Sequence, residues 1–429
     1  MSYLNGREGR TSLPSVRPAA VTPATGQTGV PARGSDFHRT RSAERTKRVI
    51  FRPTAPHSVS FSSIPLEPQP RRTGFAMTSS GQPVTSLTDS FGRVHTSLRI
   101  SVTDRCNIRC FYCMPAGNVT FAPREQLLTF EEITRLVRVL AAAGIRDVRL
   151  TGGEPLVRRD LDRLVAMVAS VEGIADLALT TNGLLLPQQA ESLRRAGLRR
   201  INISLDTLNE AVFQQITRRQ GVARVLAGID AAIDAGFDQI RLNALAIRGL
   251  TETELEPLVE FAAARGLTMR FIEYMPLDAD RQWQPDRVLG GDEILRRLRR
   301  RFGELRPVPP PQPSQPARDY ELVDWPATPQ GRVADDGRPR PLPRVGLIRP
   351  VTEPFCGACD RLRLTAEGTI RNCLFSDAEW DLRAHLRSGA SDEAILNEVA
   401  QAVRAKAAGH LISQIGFATP QRAMFQIGG

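Results

Sequence analysis

The chain has 429 residues, 57 Lys+Arg against 46 Asp+Glu for a net charge of +11, and 41% hydrophobic residues. That length suits two or three domains or one large barrel with an appendage, with enough apolar content for a sizeable core. No apolar run approaches the roughly 20 residues that cross a bilayer. Eight of the eleven net charges fall in residues 1–76, so the basic balance is a poor argument for nucleic-acid binding by the rest.

Residues 1–90 are rich in Ser, Thr, Pro, Gly and Arg and show no sustained period, which reads as a disordered extension. The same composition fits an organellar transit peptide. Cytoplasmic localisation is the expectation, with the mitochondrial matrix as the alternative if residues 1–76 are such a peptide; initiation at Met77 is a third reading. Lysine is almost absent: Lys47 and Lys406 are the only two. Arginine therefore stands where another chain would use lysine.

From Ser97 onward, strand-like runs alternate with apolar-periodic helices. The strands are expected at 97–103, 146–151, 177–182, 200–206, 239–246 and 268–276. Two of the helices open on a capping-box pattern, Thr129 with Glu132 and Thr251 with Glu254. Six β–α alternations predict an α/β fold with a parallel sheet and right-handed crossovers. A partial (β/α)6 TIM-like barrel over 91–305 is the first choice and an open doubly wound sheet the second. Residues 306–345, with "RPVPPPQPSQPARDY" and "DDGRPRPLPR", read as a proline-rich linker or insertion. A C-terminal region follows over 346–429, with a helix around 391–408.

The six cysteines fall into two triplets, Cys106/Cys110/Cys113 and Cys356/Cys359/Cys373. Three disulfides would need a secreted chain; the clustering suits metal centres in a reducing compartment better. The first triplet, in "SVTDRCNIRCFYCMP", follows the first strand, where β/α barrels carry function. A tetrahedral zinc wants four ligands. Three thiolates on a [4Fe–4S] cluster leave one iron open to a small molecule with an amine and a carboxylate. "TGGEP" at Thr151–Pro155 follows the second strand, and its glycines permit close backbone approach. The second triplet, Cys-x2-Cys-x13-Cys in "FCGACDRLRLTAEGTIRNC", again offers three ligands; a zinc ribbon is the plainer alternative there.

With "RLTGGEPLVRRD", "LTTNG", "INISLD", "FIEYMP" and the terminal "IGG", these motifs closely resemble the GTP 3′,8-cyclase family of the radical S-adenosylmethionine superfamily, over about 95–429. The resemblance implies two [4Fe–4S] clusters and S-adenosylmethionine as cofactors, the first cluster on Cys106, Cys110 and Cys113 and the second on Cys356, Cys359 and Cys373. Tyr112, Gly153, Ser204 and Met275 match positions contacting S-adenosylmethionine. Arg99, Arg149, Thr180, Arg241, Arg361, Leu362 and Arg363 match positions contacting GTP, Arg241 standing where the family usually has lysine. Arg99 and the tail glycines Gly428 and Gly429 are assigned to the catalytic centre. The implied reaction is abstraction of the C3′ hydrogen of GTP by a 5′-deoxyadenosyl radical, C3′–C8 bond formation and reduction, the first step of molybdenum cofactor biosynthesis. Implied partners are a flavodoxin or ferredoxin reductant, a downstream pyranopterin monophosphate synthase and a second copy in a homodimer, with no membrane and no nucleic acid. A peptide-modifying maturase with an auxiliary cluster and a zinc or iron–sulfur nucleic-acid binder are the competing readings.

Overall fold

The computed structural model describes residues 86–326, 341–412 and 417–428. They fall within one compact unit, 72–429. Residues 1–85 of the expected extension, residues 335–340 of the "DDGRPRPLPR" stretch and Gly429 lie outside the described residues.

All six expected strands form, as β1 Ser97–Ser101, β2 Asp147–Thr151, β3 Asp176–Thr181, β4 Arg200–Ser204, β5 Gln239–Ala246 and β6 Thr268–Glu273. The intervening helices are α1 Phe130–Ala142, α2 Leu161–Ala169, α3 Leu186–Arg195, α4 Glu210–Thr217, α5 Val222–Asp234 and α6 Leu255–Ala264; α7 Gly291–Phe302 follows β6. Beyond these come β7 Leu305–Val308, β8 Ala317–Leu322, β9 Arg344–Ile348, β10 Arg361–Leu364, β11 Thr369–Arg371 and β12 Trp380–Asp381. The chain closes with α8 Leu382–Arg387, α9 Asp392–Arg404 and α10 Met424–Ile427.

One sheet runs β12-β11-β10-β1-β2-β3-β4-β5-β6-β9-β8-β7. Strands β1 to β6 sit side by side in chain order, all parallel. A doubly wound sheet would reverse order at a switch point; this one does not, so every crossover helix lies on the same face. That face is apolar, with Leu98, Ile100, Val148, Leu150, Leu179, Ile203 and Leu242 buried beneath the helices. The opposite face is polar yet also covered: Asn202 is 2% exposed, Arg363 6% and Arg270 7%. A sheet with helices on one side and buried polar groups on the other has curled around them, as the partial barrel requires.

The segments after β6 join the same sheet. The proline-rich stretch is not simply a linker, since β7 and β8 within it are antiparallel strands of the same sheet, joined by a proline-rich turn. Pro307 is tolerated because β7 is the sheet edge, where a missing N–H breaks no ladder. The C-terminal region extends the same sheet: β9 pairs parallel with β6, and β10 with β1. Order also begins before residue 91, because Thr88 bridges Val94.

The Thr129–Glu132 capping box forms, each side chain reaching the other's backbone N–H at 3.1 and 2.8 Å. The second does not. The Thr251 hydroxyl donates to the Leu245 carbonyl, while the Glu254 carboxylate is drawn inward to accept from the Thr207 hydroxyl at 2.6 Å and the Leu208 N–H. Burial of Glu254 makes that pin to the loop after β4 worth more than a solvent-facing cap.

Candidate active site

Parallel register sets the inner face. Arg363, Arg99, Arg149, Ala178 and Arg200 form one row across β10, β1, β2, β3 and β4. Two residues further along, Thr151, Thr180, Asn202 and Arg241 form the next; Ser204, Asn243 and Arg270 belong to a third. Because side chains alternate faces, all of them point to the covered side.

These rows therefore bring six arginines into one interior, and Arg361, two residues before Arg363 on β10, joins them. Arg200 has a partner in Asp176, and Arg270 one in Asp319 at 3.1 Å. Arg149 and Arg241 bond to no carboxylate among the described residues. Burial, then the charge of Arg361, pulls Arg99 down to about 10. Burial, then Arg270 and Arg200, pulls Arg241 down to about 9. Arg149 and Arg363 are likewise held well below the usual arginine range, by burial and then by Arg99. A cluster that suppresses its own charge this way is built for a polyanion.

The first cysteine loop lies between β1 and α1. It is anchored to the end of α4 by Arg109 N–H to the Thr217 carbonyl at 2.9 Å and Phe111 N–H to the Ile216 carbonyl at 3.1 Å. Arg109 caps the Cys106 carbonyl at 2.7 Å, and Arg218 the Met114 carbonyl at 3.0 Å. Burial pushes the Cys106 thiol up to about 11, with Glu154 adding to it; Cys110 and Cys113 are pushed higher, also chiefly by burial. Such thiols stay protonated until positive iron displaces the proton. Among the described residues no three His, Cys, Asp or Glu gather closely enough to hold one metal ion. A cluster is not held that way, since each thiolate binds its own iron, and three thiols on one anchored loop, Cys110 buried and Cys106 and Cys113 half-buried, fit it.

Tyr112 donates to Asp206 at 2.7 Å, and Asp206 accepts the Leu245 N–H at 2.8 Å, fixing the ring on the loop after β4. Gly153 also has a packing task of its own. A Cβ there would lie 2.5 Å from the Arg105 carbonyl oxygen and 2.8 Å from that of Asp104. The missing side chain lets the cysteine loop's own backbone pack down, with Gly153 N–H on the Thr103 carbonyl at 2.7 Å and Glu154 N–H on that of Arg105 at 2.8 Å. Ser204 ends β4 on the inner face, and Met275 sits half-buried after β6.

The second triplet is organised around a short turn, Cys359 N–H to the Cys356 carbonyl at 3.1 Å. Burial opposes ionisation of Cys359, yet Arg361 and Lys406 hold its thiol down at about 7. The Phe375 N–H donates to Cys373 Sγ at 3.5 Å. Arg361 and Arg363 face the interior, but Leu362 does not. It is fully buried on the helix-packed face, in register with Leu98, so only its backbone is left to meet a ligand.

The tail enters this interior. Met114, Ala423 and Phe425 form a small apolar cluster beside the first cysteine loop, and the Phe425 N–H reaches Cys113. The Gly428 carbonyl accepts from Arg363 Nη1, and Gly428 itself, at φ 74°, rests against Thr151 and Ser101. The structure thus draws Arg99, Arg149, Thr180, Arg241, Arg363, Gly428 and both triplets towards one side of the sheet. Sequence reasoning missed Arg200 and Arg270, although their alternation with apolar neighbours was a signal. It also missed Glu154, buried and accepting from the Asn182 N–H and the Thr181 hydroxyl at 2.7 Å each, and pushed up to about 7 by that burial. Lys406 was a further omission.

A partial barrel with three thiols on the loop after its first strand defines the radical S-adenosylmethionine class, and the model of the Radical SAM superfamily matches residues 100–262. The model described as Molybdenum Cofactor Synthesis C matches residues 267–412. A GTP 3′,8-cyclase of Rhodopirellula baltica is 53% identical over 345 residues, 80% of this chain and 92% of that protein. One of Corynebacterium glutamicum is 44% identical over 348 residues, covering 80% and 89%. One of Mycobacterium marinum is 43% identical over 360 residues, covering 84% and 96%. The chain belongs to the GTP 3′,8-cyclase family. Its cofactors are S-adenosylmethionine and two [4Fe–4S] clusters. Among solved structures, methylornithine synthase overlaps 49% of this chain and 63% of its own at TM-score 0.40 and 19% identity, too slight an overlap to argue from.

Proposed function

We propose that this chain converts GTP to (8S)-3′,8-cyclo-7,8-dihydroguanosine 5′-triphosphate, with the residues of the curled sheet's inner face as its machinery. The observation that carries this reading is the row Arg363–Arg99–Arg149 with Arg241, cations without enough carboxylates, reached from both cysteine triplets. A triphosphate supplies about four negative charges, and forked guanidiniums suit its oxygens. Cys106, Cys110 and Cys113 would hold the first cluster, which with S-adenosylmethionine would supply the radical chemistry needed at the C3′ hydrogen of GTP.

The chain's own residues hold the reactants in register and exclude water. Tyr112, fixed by Asp206, and Gly153, Ser204 and Met275 line the cofactor side. Arg99, Arg149, Thr180 and Arg241 take the nucleotide, with Arg361, Arg363 and the Leu362 backbone beside the second cluster on Cys356, Cys359 and Cys373. The tail, held through the Gly428 carbonyl on Arg363, closes the interior, with Gly429 at its end. A flavodoxin or ferredoxin supplies electrons, a pyranopterin monophosphate synthase consumes the product, and the chain works as a homodimer. Six free thiols suit the reducing cytoplasm.

The test is anaerobic incubation of reconstituted protein with GTP, S-adenosylmethionine and dithionite. The cyclised nucleotide, 5′-deoxyadenosine and methionine are expected, with about eight iron and eight sulfide per chain. Methionine release without cyclised nucleotide would overturn the substrate, and zinc without sulfide the whole reading.

A further inference from the structure

Fifty-seven basic side chains include only two lysines, and Lys406 is the one among the described residues. It is 4% exposed. Its Nζ lies 3.4 Å from Cys359 Sγ and donates to the Arg361 carbonyl at 2.9 Å. The surrounding loop is clamped from outside the barrel. Arg93 binds the Ala407 carbonyl at 2.7 Å, the Ala408 carbonyl at 2.9 Å and the Cys356 carbonyl at 2.8 Å, while its Nε is held by Asp89 at 2.6 Å. Gly409 leaves room for the loop against Cys356: a Cβ there would stand 3.2 Å from Cys356 Cβ. One hairpin thus fixes one ammonium against one sulfur of the second triplet.

An arginine is a poor substitute in this position. Its planar fork spreads its charge and needs two aligned acceptors, whereas an ammonium is a compact charge whose three donors can divide between one sulfur and one carbonyl. A charge-assisted N–H···S bond stabilises the more negative state of a thiolate-bound cluster, because electron density on sulfur rises on reduction.

We infer that Lys406 is a positioning residue for the second cluster, setting its reduction potential upward through a charge-assisted hydrogen bond to Cys359 Sγ, with Arg93 as the clamp that presents it. This rests on the reading of Cys356, Cys359 and Cys373 as the ligands of that cluster. A purely structural lysine, tying the 405–409 loop to β10 through the Arg361 carbonyl, would leave the potential unchanged.

The test uses full-length chain carrying Cys106→Ala, Cys110→Ala and Cys113→Ala, so that only the second cluster loads. Lys47→Arg is added, so that 15Nζ-lysine labels Lys406 alone. Pulsed EPR of the reduced cluster is expected to show a 15N coupling. In redox titration, Lys406→Gln is expected to lower the reduced-to-oxidised ratio at fixed potential about tenfold, a downward shift of ~59 mV for one electron. Lys406→Arg should recover part of it. Failure of the triple cysteine variant to load a cluster overturns the ligand reading and this inference with it. A loaded cluster without 15N coupling, or an unmoved potential in Lys406→Gln, overturns the inference alone. The labelled parent keeps Lys406, so the coupling is read even if Lys406→Gln fails to fold.

Discussion

Arg241→Met separates an anion site from an ordinary structural arginine. In the empty protein Arg241 is held down from 12.5 to about 9 by burial and by Arg270 and Arg200. At about 1.4 kcal/mol per unit, that is about 5 kcal/mol disfavouring its charge in the folded state; screening at its partly exposed end makes this an upper bound. Methionine keeps most of the stem and removes the charge. The variant, reconstituted but without GTP, should therefore be more stable than the parent by about 1–3 kcal/mol. The same change should cost one charge-assisted hydrogen bond to GTP, about 1.5–3 kcal/mol, or roughly 10- to 150-fold in affinity. Thermal denaturation with and without GTP reads both: the basal melting temperature rises while the GTP-induced increment shrinks. A variant that melts lower and keeps the full increment would show Arg241 to be a structural residue and refute the argument.

Three other outcomes follow from the same geometry. Gly153→Ala sets a Cβ against the Arg105 peptide, costing about 1–3 kcal/mol; because that peptide precedes Cys106, iron should fall from about eight to about four per chain, with the second cluster spared. His95 is buried with its pKa lowered from 6.5 to about 4, chiefly by burial and then by Lys406. The unfolded chain binds its proton first, so stability is full above 6.5 and is lost as pH falls towards 4; urea midpoints should show a loss of about 2 kcal/mol between pH 7 and 5, and His95→Phe should flatten it. Gly428→Ala forces a side chain onto Thr151 at positive φ; product formation should drop at least about tenfold while both clusters remain, as iron analysis and turnover together would show.

What the sequence made legible was local. Cys106, Cys110 and Cys113 lie on one loop, so their spacing was their geometry. Strands β1 to β6 were legible from their apolar alternation, while Arg99, Arg149 and Arg241 were named through the family resemblance, and Arg200 and Arg270, on the same inner face, were not. The misses are long-range or context-bound. β7 and β8 hide in a proline-rich stretch because nothing local says that a segment will become an edge. Thr251 and Glu254 have the capping pattern, but Glu254 is captured by Thr207, 47 residues away in sequence. Lys406 carries no motif; its meaning comes from Cys359.

The same distinction bears on how the nucleotide site is completed. Arg99 is flanked by Arg149 on β2, from its own half of the chain, and by Arg363 on β10, 264 residues away in sequence. A one-residue slip of β10 against β1 would exchange Arg361 and Arg363 for Leu362 and Leu364, removing two guanidiniums from the interior and putting them under the helices. Register is held by Leu362 and Leu364, both fully buried opposite Leu98 and Ile100. The apolar half of "RLRL" therefore does the aligning that lets its basic half meet an anion. That accounts for a four-residue strand with both kinds of side chain at the join between the barrel and the second cysteine triplet.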